Sequence, residues 1–103
     1  MSNFVQEKEQ LVMHLGQVGQ TITEKLSKAL VPHALEVIDE SHLHAGHSGA
    51  RPEGETHFRV KIQAEAFAGK SLIQRHRMVN DVLAEELNGP VHALAISASA
   101  PGS

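Results

Sequence analysis

Cysteine is missing from this chain, and with it go disulfides, a catalytic thiol and any thiolate metal site that the protein completes unaided. Soft-metal chemistry here needs sulfur from elsewhere. Tryptophan and tyrosine are also absent, and three phenylalanines remain, so the core is expected to be aliphatic and stacking platforms for single-stranded nucleic acid are scarce. No apolar run approaches the about 20 residues that cross a bilayer. The N-terminal stretch has no apolar core, carries Glu7 and Glu9 and has no arginine, which disfavours both a signal peptide and a mitochondrial transit peptide. A cytoplasmic protein without a membrane partner is the expectation. An excess of one sign of charge is lacking as well: nine Lys and Arg against twelve Asp and Glu give a net charge of -3, no general footprint for DNA.

What is plentiful is histidine, and four of the eight (His42, His44, His47, His57) fall between Glu40 and Phe58 around a Gly/Pro/Ser-rich turn. The segments on either side, LEVIDE and HFRVKIQAE, read as strands. In the second, Phe58, Val60, Ile62 and Ala64 alternate with His57, Arg59, Lys61 and Gln63, which predicts one buried and one wet face. The histidine-rich stretch is then the connection of a hairpin, the kind of segment on which functional residues concentrate.

Upstream, Leu11, Leu15, Val18, Ile22, Leu26 and Leu30 recur every three or four residues, the spacing of an amphipathic helix. Gly16 and Gly19 interrupt that stripe at about 1 kcal/mol each, and TITE (Thr21–Glu24) has capping-box spacing. The expectation is a core helix from about Thr21 to Leu30, ended by Pro32, after a partly helical extension over residues 1–20. Downstream, SLIQ (Ser71–Gln74) matches the capping box, and Leu72, His76, Val79, Leu83 and Leu87 line one helical face. Asn88 or Gly89, in the left-handed conformation, and Pro90 are expected to stop this helix. A last strand spans Val91 to Ser99, with His92 sharing by parity the face of Leu94, Ile96 and Ala98 yet near enough to the strand's start to reach the surface. The whole predicts one α+β domain over residues 21–99, a small mixed sheet with helices on one face, and a flexible tail at 100–103.

His42, His44 and His47 form H-x-H-x-x-H, and neutral imidazole is a common ligand of borderline metals. Spacing alone equally describes a polar loop of solvated histidines. Gly69-Lys70-Ser71 resembles the end of a Walker loop, but Ala64 stands where the first glycine belongs, which excludes nucleotide hydrolysis by that motif. Lys70, Arg75 and Arg77, with Arg59 and Lys61, are the one basic concentration: either a solvated face or a small phosphate-contacting surface. Nothing has the spacing of a nucleophile turn or a metalloprotease motif, so no enzymatic activity is expected.

The strings LEVIDES, HAGH, GETHFRVKI, F-x-GKSLIQRHRMVNDVLAEEL and VHALAI, in this order from about Thr21 to Ala98, resemble the BolA family. The resemblance implies a class II KH-like fold in α-β-β-α-β order with a three-stranded mixed sheet. It also implies a partner, a monothiol glutaredoxin of the CGFS type, with which a [2Fe-2S] cluster is shared together with glutathione. In that role the VHAL histidine is His92 and the loop ligand falls on His44, with His42 and His47 beside it as further possible ligands and His57 either a ligand or a group that orients one. Two imidazoles on one iron raise a cluster's potential relative to all-thiolate ligation. The alternative implied by the family is a DNA-binding transcriptional regulator of stress response and cell morphology, using the KH-like face and the Lys70, Arg75 and Arg77 edge.

Overall fold

The computed structural model describes residues 15–41 and 54–102. Along the chain run helix α1 (Gln17–Leu30), strands β1 (Ala34–Asp39) and β2 (His57–Gln63), a 3-10 turn (Glu65–Phe67), helix α2 (Leu72–Val82), a short helix α3 (Ala84–Leu87) and strand β3 (Ala93–Ser99). The strands make one mixed sheet in the order β1-β2-β3, antiparallel between β1 and β2 and parallel between β2 and β3. A parallel neighbour needs a crossover, and the α2–α3 segment supplies it. This is the α+β order expected of a class II KH-like domain.

Alternation along β2 decides which face is covered. Phe58, Val60 and Ile62 are buried and meet Ile22 and Leu26 of α1 and Val79 and Leu83 of the α2–α3 segment in one core. Helix α1 packs on β1 and α2 on β3. The other residues of β2, His57, Arg59, Lys61 and Gln63, lie on the opposite face, in register with Ala93, Ala95, Ser97 and Ser99 of β3. The sheet is therefore covered on one side, as its pattern requires. No helix among the described residues is long and apolar enough to cross a membrane.

Several local expectations are corrected. Helix α1 starts at Gln17, not Thr21; the Thr21 hydroxyl donates back to the Gln17 carbonyl (2.9 Å), so TITE lies inside the helix and caps nothing. Ser71 does form the capping box, its hydroxyl accepting from the Gln74 N–H at 3.1 Å while the Gln74 side chain accepts from the Ser71 N–H at 2.8 Å. The helix it begins breaks at Leu83 (φ -102°, ψ 21°) and resumes as α3, and Leu72, assigned to the apolar stripe, is exposed. Asn88 is right-handed (φ -86°, ψ -4°) and Gly89 has no positive φ, so the stop comes from Pro90 and from turn bonds of Gly89 and Val91 N–H to the Glu86 carbonyl. Ala100, placed by the sequence in the tail, is buried.

Lys25 ties α1 to α3, its Nζ 2.6 Å from Glu85 Oε1 and 2.8 Å from Glu86 Oε2. That hydrogen bond holds the Glu85 carboxyl below the usual carboxylate range, and Glu85 and then Glu86 raise Lys25 in turn. At the end of α1, Val31 occupies the left-handed region (φ 44°, ψ 59°), where a β-branched side chain is strained. Its side chain is exposed, so little packing is at stake. Val31→Gly is expected to stabilise the domain by about 1 kcal/mol, read as a higher urea midpoint with unchanged slope.

Candidate metal centre

The connection carrying the histidines runs from the end of β1 at Asp39 to the start of β2 at His57, and its neck is a built polar cluster. Asp39 Oδ1 accepts the Ser41 N–H (2.9 Å) while Oδ2 accepts the Glu55 N–H (3.1 Å), which clamps both ends of the connection to the last residue of β1. Gly54 (φ 81°) and Glu55 (φ 63°) both take left-handed backbone, the sharp reversal that feeds β2. Ser41 Oγ accepts from the N–H groups of Thr56 (2.9 Å) and His57 (3.2 Å). The Glu40 N–H donates to the His57 carbonyl at 2.8 Å, and Arg59 Nε donates to Glu40 Oε2 at 2.8 Å on the open face.

Glu55 has a second role that the sequence did not reveal. Its Oε1 accepts from the N–H groups of Val18 (2.7 Å) and Gly19 (3.1 Å), so a carboxylate 36 or 37 residues away caps the first turn of α1. A Cβ at Gly16 would lie 2.5 Å from that carboxyl group, which is why the chain passes there without a side chain. The negative carboxylate at the positive helix end adds to the hydrogen bonds. Glu55→Ala is expected to cost about 1 kcal/mol, measured by urea denaturation, with the earliest amide exchange at residues 17–20.

Two of the predicted histidines come together. His57 stands at the start of β2 on the open face and His92 one residue before β3, and the 57↔93 register brings them side by side. Their rings are 6.4 Å apart between centroids and inclined by 24°. His92 is exposed; its backbone N–H donates to the Thr56 carbonyl at 2.7 Å, and parity with Leu94 does not carry its side chain into the core because the strand begins only at Ala93. His57 is half-buried, with its Nδ1 2.8 Å from the Thr56 hydroxyl. His42, His44 and His47 lie outside the described residues, as does the segment that joins them. Among the described residues no three potential ligands converge, but imidazole nitrogen is a donor type that suits iron of intermediate softness, and His92 is exposed beside His57.

The basic residues divide between the start of α2 and the open face of the sheet. Arg75 is engaged by the fold, donating from Nε to the Lys70 carbonyl (3.1 Å) and from Nη1 to the Ala98 carbonyl (3.2 Å) at the end of β3. Lys70 and Arg77 are exposed, and Arg59 and Lys61 are on the sheet face away from α2.

The BolA family profile, described as BolA-like protein, matches residues 26–103. The chain belongs to the BolA family. It is 49% identical over 94 residues to SufE-like protein 1, chloroplastic/mitochondrial, of Arabidopsis thaliana, covering 87% of this chain and 25% of that protein. With BolA-like protein 1 of Homo sapiens it shares 51% over 87 residues, 84% of this chain and 61% of the relative. The chain thus spans a quarter of the first relative and less than two thirds of the second. Among solved structures it resembles the BolA domain of SufE1 from Arabidopsis thaliana, with a TM-score of 0.77 at 50% identity over 84% of this chain and 95% of that one. Membership explains the order of motifs: GETHF supplies the capping carboxylate, the neck threonine and one imidazole, and VHAL supplies the other.

Proposed function

We propose that this BolA-family chain is a non-enzymatic partner of a CGFS monothiol glutaredoxin and shares or passes on a [2Fe-2S] cluster, with His92 and the loop histidine His44 as its ligands. The observation that carries the reading is the exposed His92 imidazole, fixed by its backbone beside His57 at the neck of the connection that bears His44. When bound, the cluster supplies one-electron and cluster-transfer chemistry, with potential raised by nitrogen ligation. The chain's own residues do the rest: the Asp39 and Ser41 clamps hold the loop ends together, Thr56 anchors the backbone of His92, and the exposed side of His92 leaves a partner room to approach. With no cysteine in the chain, thiolates for the other iron come from the glutaredoxin and glutathione.

The test is anaerobic co-purification with a CGFS glutaredoxin and glutathione, followed by visible absorption and circular dichroism. A heterocomplex whose spectrum differs from that of the glutaredoxin alone supports the reading. Failure to form a complex, or a spectrum identical to the glutaredoxin's own, overturns it. DNA regulation is the weaker alternative, because phosphate contact needs free cations and Arg75 is engaged by two carbonyls.

A further inference from the structure

We infer that Thr56 is a positioning residue for the imidazole pair: its buried hydroxyl holds the His57 ring in one tautomer and orientation beside His92. The inference rests on the cluster reading for its purpose, though not for its first measurement. Thr56 has no solvent exposure, and each of its polar groups secures a different part of the neck. Its N–H donates to Ser41 Oγ at 2.9 Å, at the start of the histidine-bearing connection. Its carbonyl accepts from the N–H groups of His92 (2.7 Å) and Ala93 (3.2 Å), setting the backbone from which the His92 ring projects. Its hydroxyl lies 2.8 Å from His57 Nδ1 and 3.3 Å from Ser41 Oγ.

The hydroxyl is what goes beyond ordinary strand pairing. A buried hydroxyl cannot exchange partners with water, and leaving it unpaired costs about 1–3 kcal/mol, so its single proton goes either to Ser41 Oγ, with the oxygen accepting from Nδ1–H, or to Nδ1 itself. The ring nitrogen that faces Thr56 is thereby assigned as donor or acceptor, and the far nitrogen takes the complementary state. Partners of this kind set the tautomer and orientation of histidines at metal sites, and losing one lowers metal retention by about 10-fold or more. The His57 ring so oriented lies beside the His92 ring, nearly parallel to it, while the Thr56 carbonyl holds the His92 backbone directly.

Thr56→Val keeps the volume, the β-branch and the backbone bonds and removes only the hydroxyl; Thr56→Ser keeps the hydroxyl. Long-range proton–nitrogen correlation spectra of the labelled protein without cluster, recorded above the imidazole titration, are expected to show one His57 tautomer in wild type and Thr56→Ser and a mixture in Thr56→Val. In the glutaredoxin heterocomplex, loss of visible absorbance to an iron chelator is expected to be about 10-fold faster for Thr56→Val and near wild type for Thr56→Ser. A mixed tautomer in wild type overturns the inference without any variant, so a Thr56→Val protein that fails to fold does not protect it. A single tautomer retained in Thr56→Val overturns it too, as does an altered tautomer with unchanged cluster lifetime, which makes Thr56 merely structural. If the wild-type heterocomplex holds no cluster, the proposed function fails separately, and the tautomer spectra still decide whether Thr56 holds the ring.

Discussion

His92→Ala is expected to abolish the visible circular-dichroism signature of the glutaredoxin heterocomplex while leaving the BolA domain as stable as before. The two halves of this expectation have different causes. The His92 ring is exposed, beside the His57 ring, so its removal leaves no buried cavity and no unpaired buried group. Substitutions of that kind change stability by less than about 0.5 kcal/mol. The backbone bond from residue 92 to the Thr56 carbonyl survives the substitution, so β3 stays in register. On the proposed ligand assignment the cluster, by contrast, loses an iron ligand outright, and no cysteine in the chain can replace it. Equilibrium urea denaturation reads the first half and anaerobic spectroscopy the second. A wild-type signature from His92→Ala would remove this residue from the ligand set, and a large drop in stability would show that the ring does structural work that its exposure argues against.

Phe58→Ala is expected to destabilise the domain by about 3–5 kcal/mol, the largest effect of any single substitution considered. Stability of a small domain is only about 5–15 kcal/mol in total, so a good part of it would go. The chain has three phenylalanines, and Phe58 and Phe67 are both fully buried in the one core, where no larger aromatic shares the volume. The urea midpoint should fall with the slope unchanged. Function is touched as well, because Phe58 is the residue between His57 and Arg59 in β2. Its burial pins the register, and a slip of one residue would carry His57 from the open face into the core. A cost under about 1 kcal/mol would mean that the core does not pack around this side chain.

The outcome for each element follows from the range of the interaction that creates it. The alternation of β2, the capping box at Ser71 and the amphipathic stripe of α1 are properties of residues a few positions apart, and they were readable. The start of α1 was not, since its cap is the Glu55 carboxylate, brought from beyond β1 by the clamp on Asp39. The break at Leu83 was hidden for a similar reason: Leu83 stays buried in the common core while the chain around it changes course, a demand of packing that helical spacing does not encode. The right-handed Asn88 shows the limit of local turn preferences, because Gly89 and Val91 find the Glu86 carbonyl without a left-handed residue.

For the site, composition and motif order were enough to identify a BolA-family domain with histidine as its available ligand type and no thiolate of its own. Which imidazoles meet was not contained in spacing, since His57 and His92 are 35 positions apart in the sequence, and parity with the core face left His92 able to reach the surface without naming its neighbour. The parallel pairing of β2 with β3 put those two rings 6.4 Å apart, and the hydroxyl, carbonyl and N–H of Thr56 bound the arrangement together. Local patterns state which residues prefer water or a helix, whereas proximity across the sheet is decided only when the whole core is buried at once.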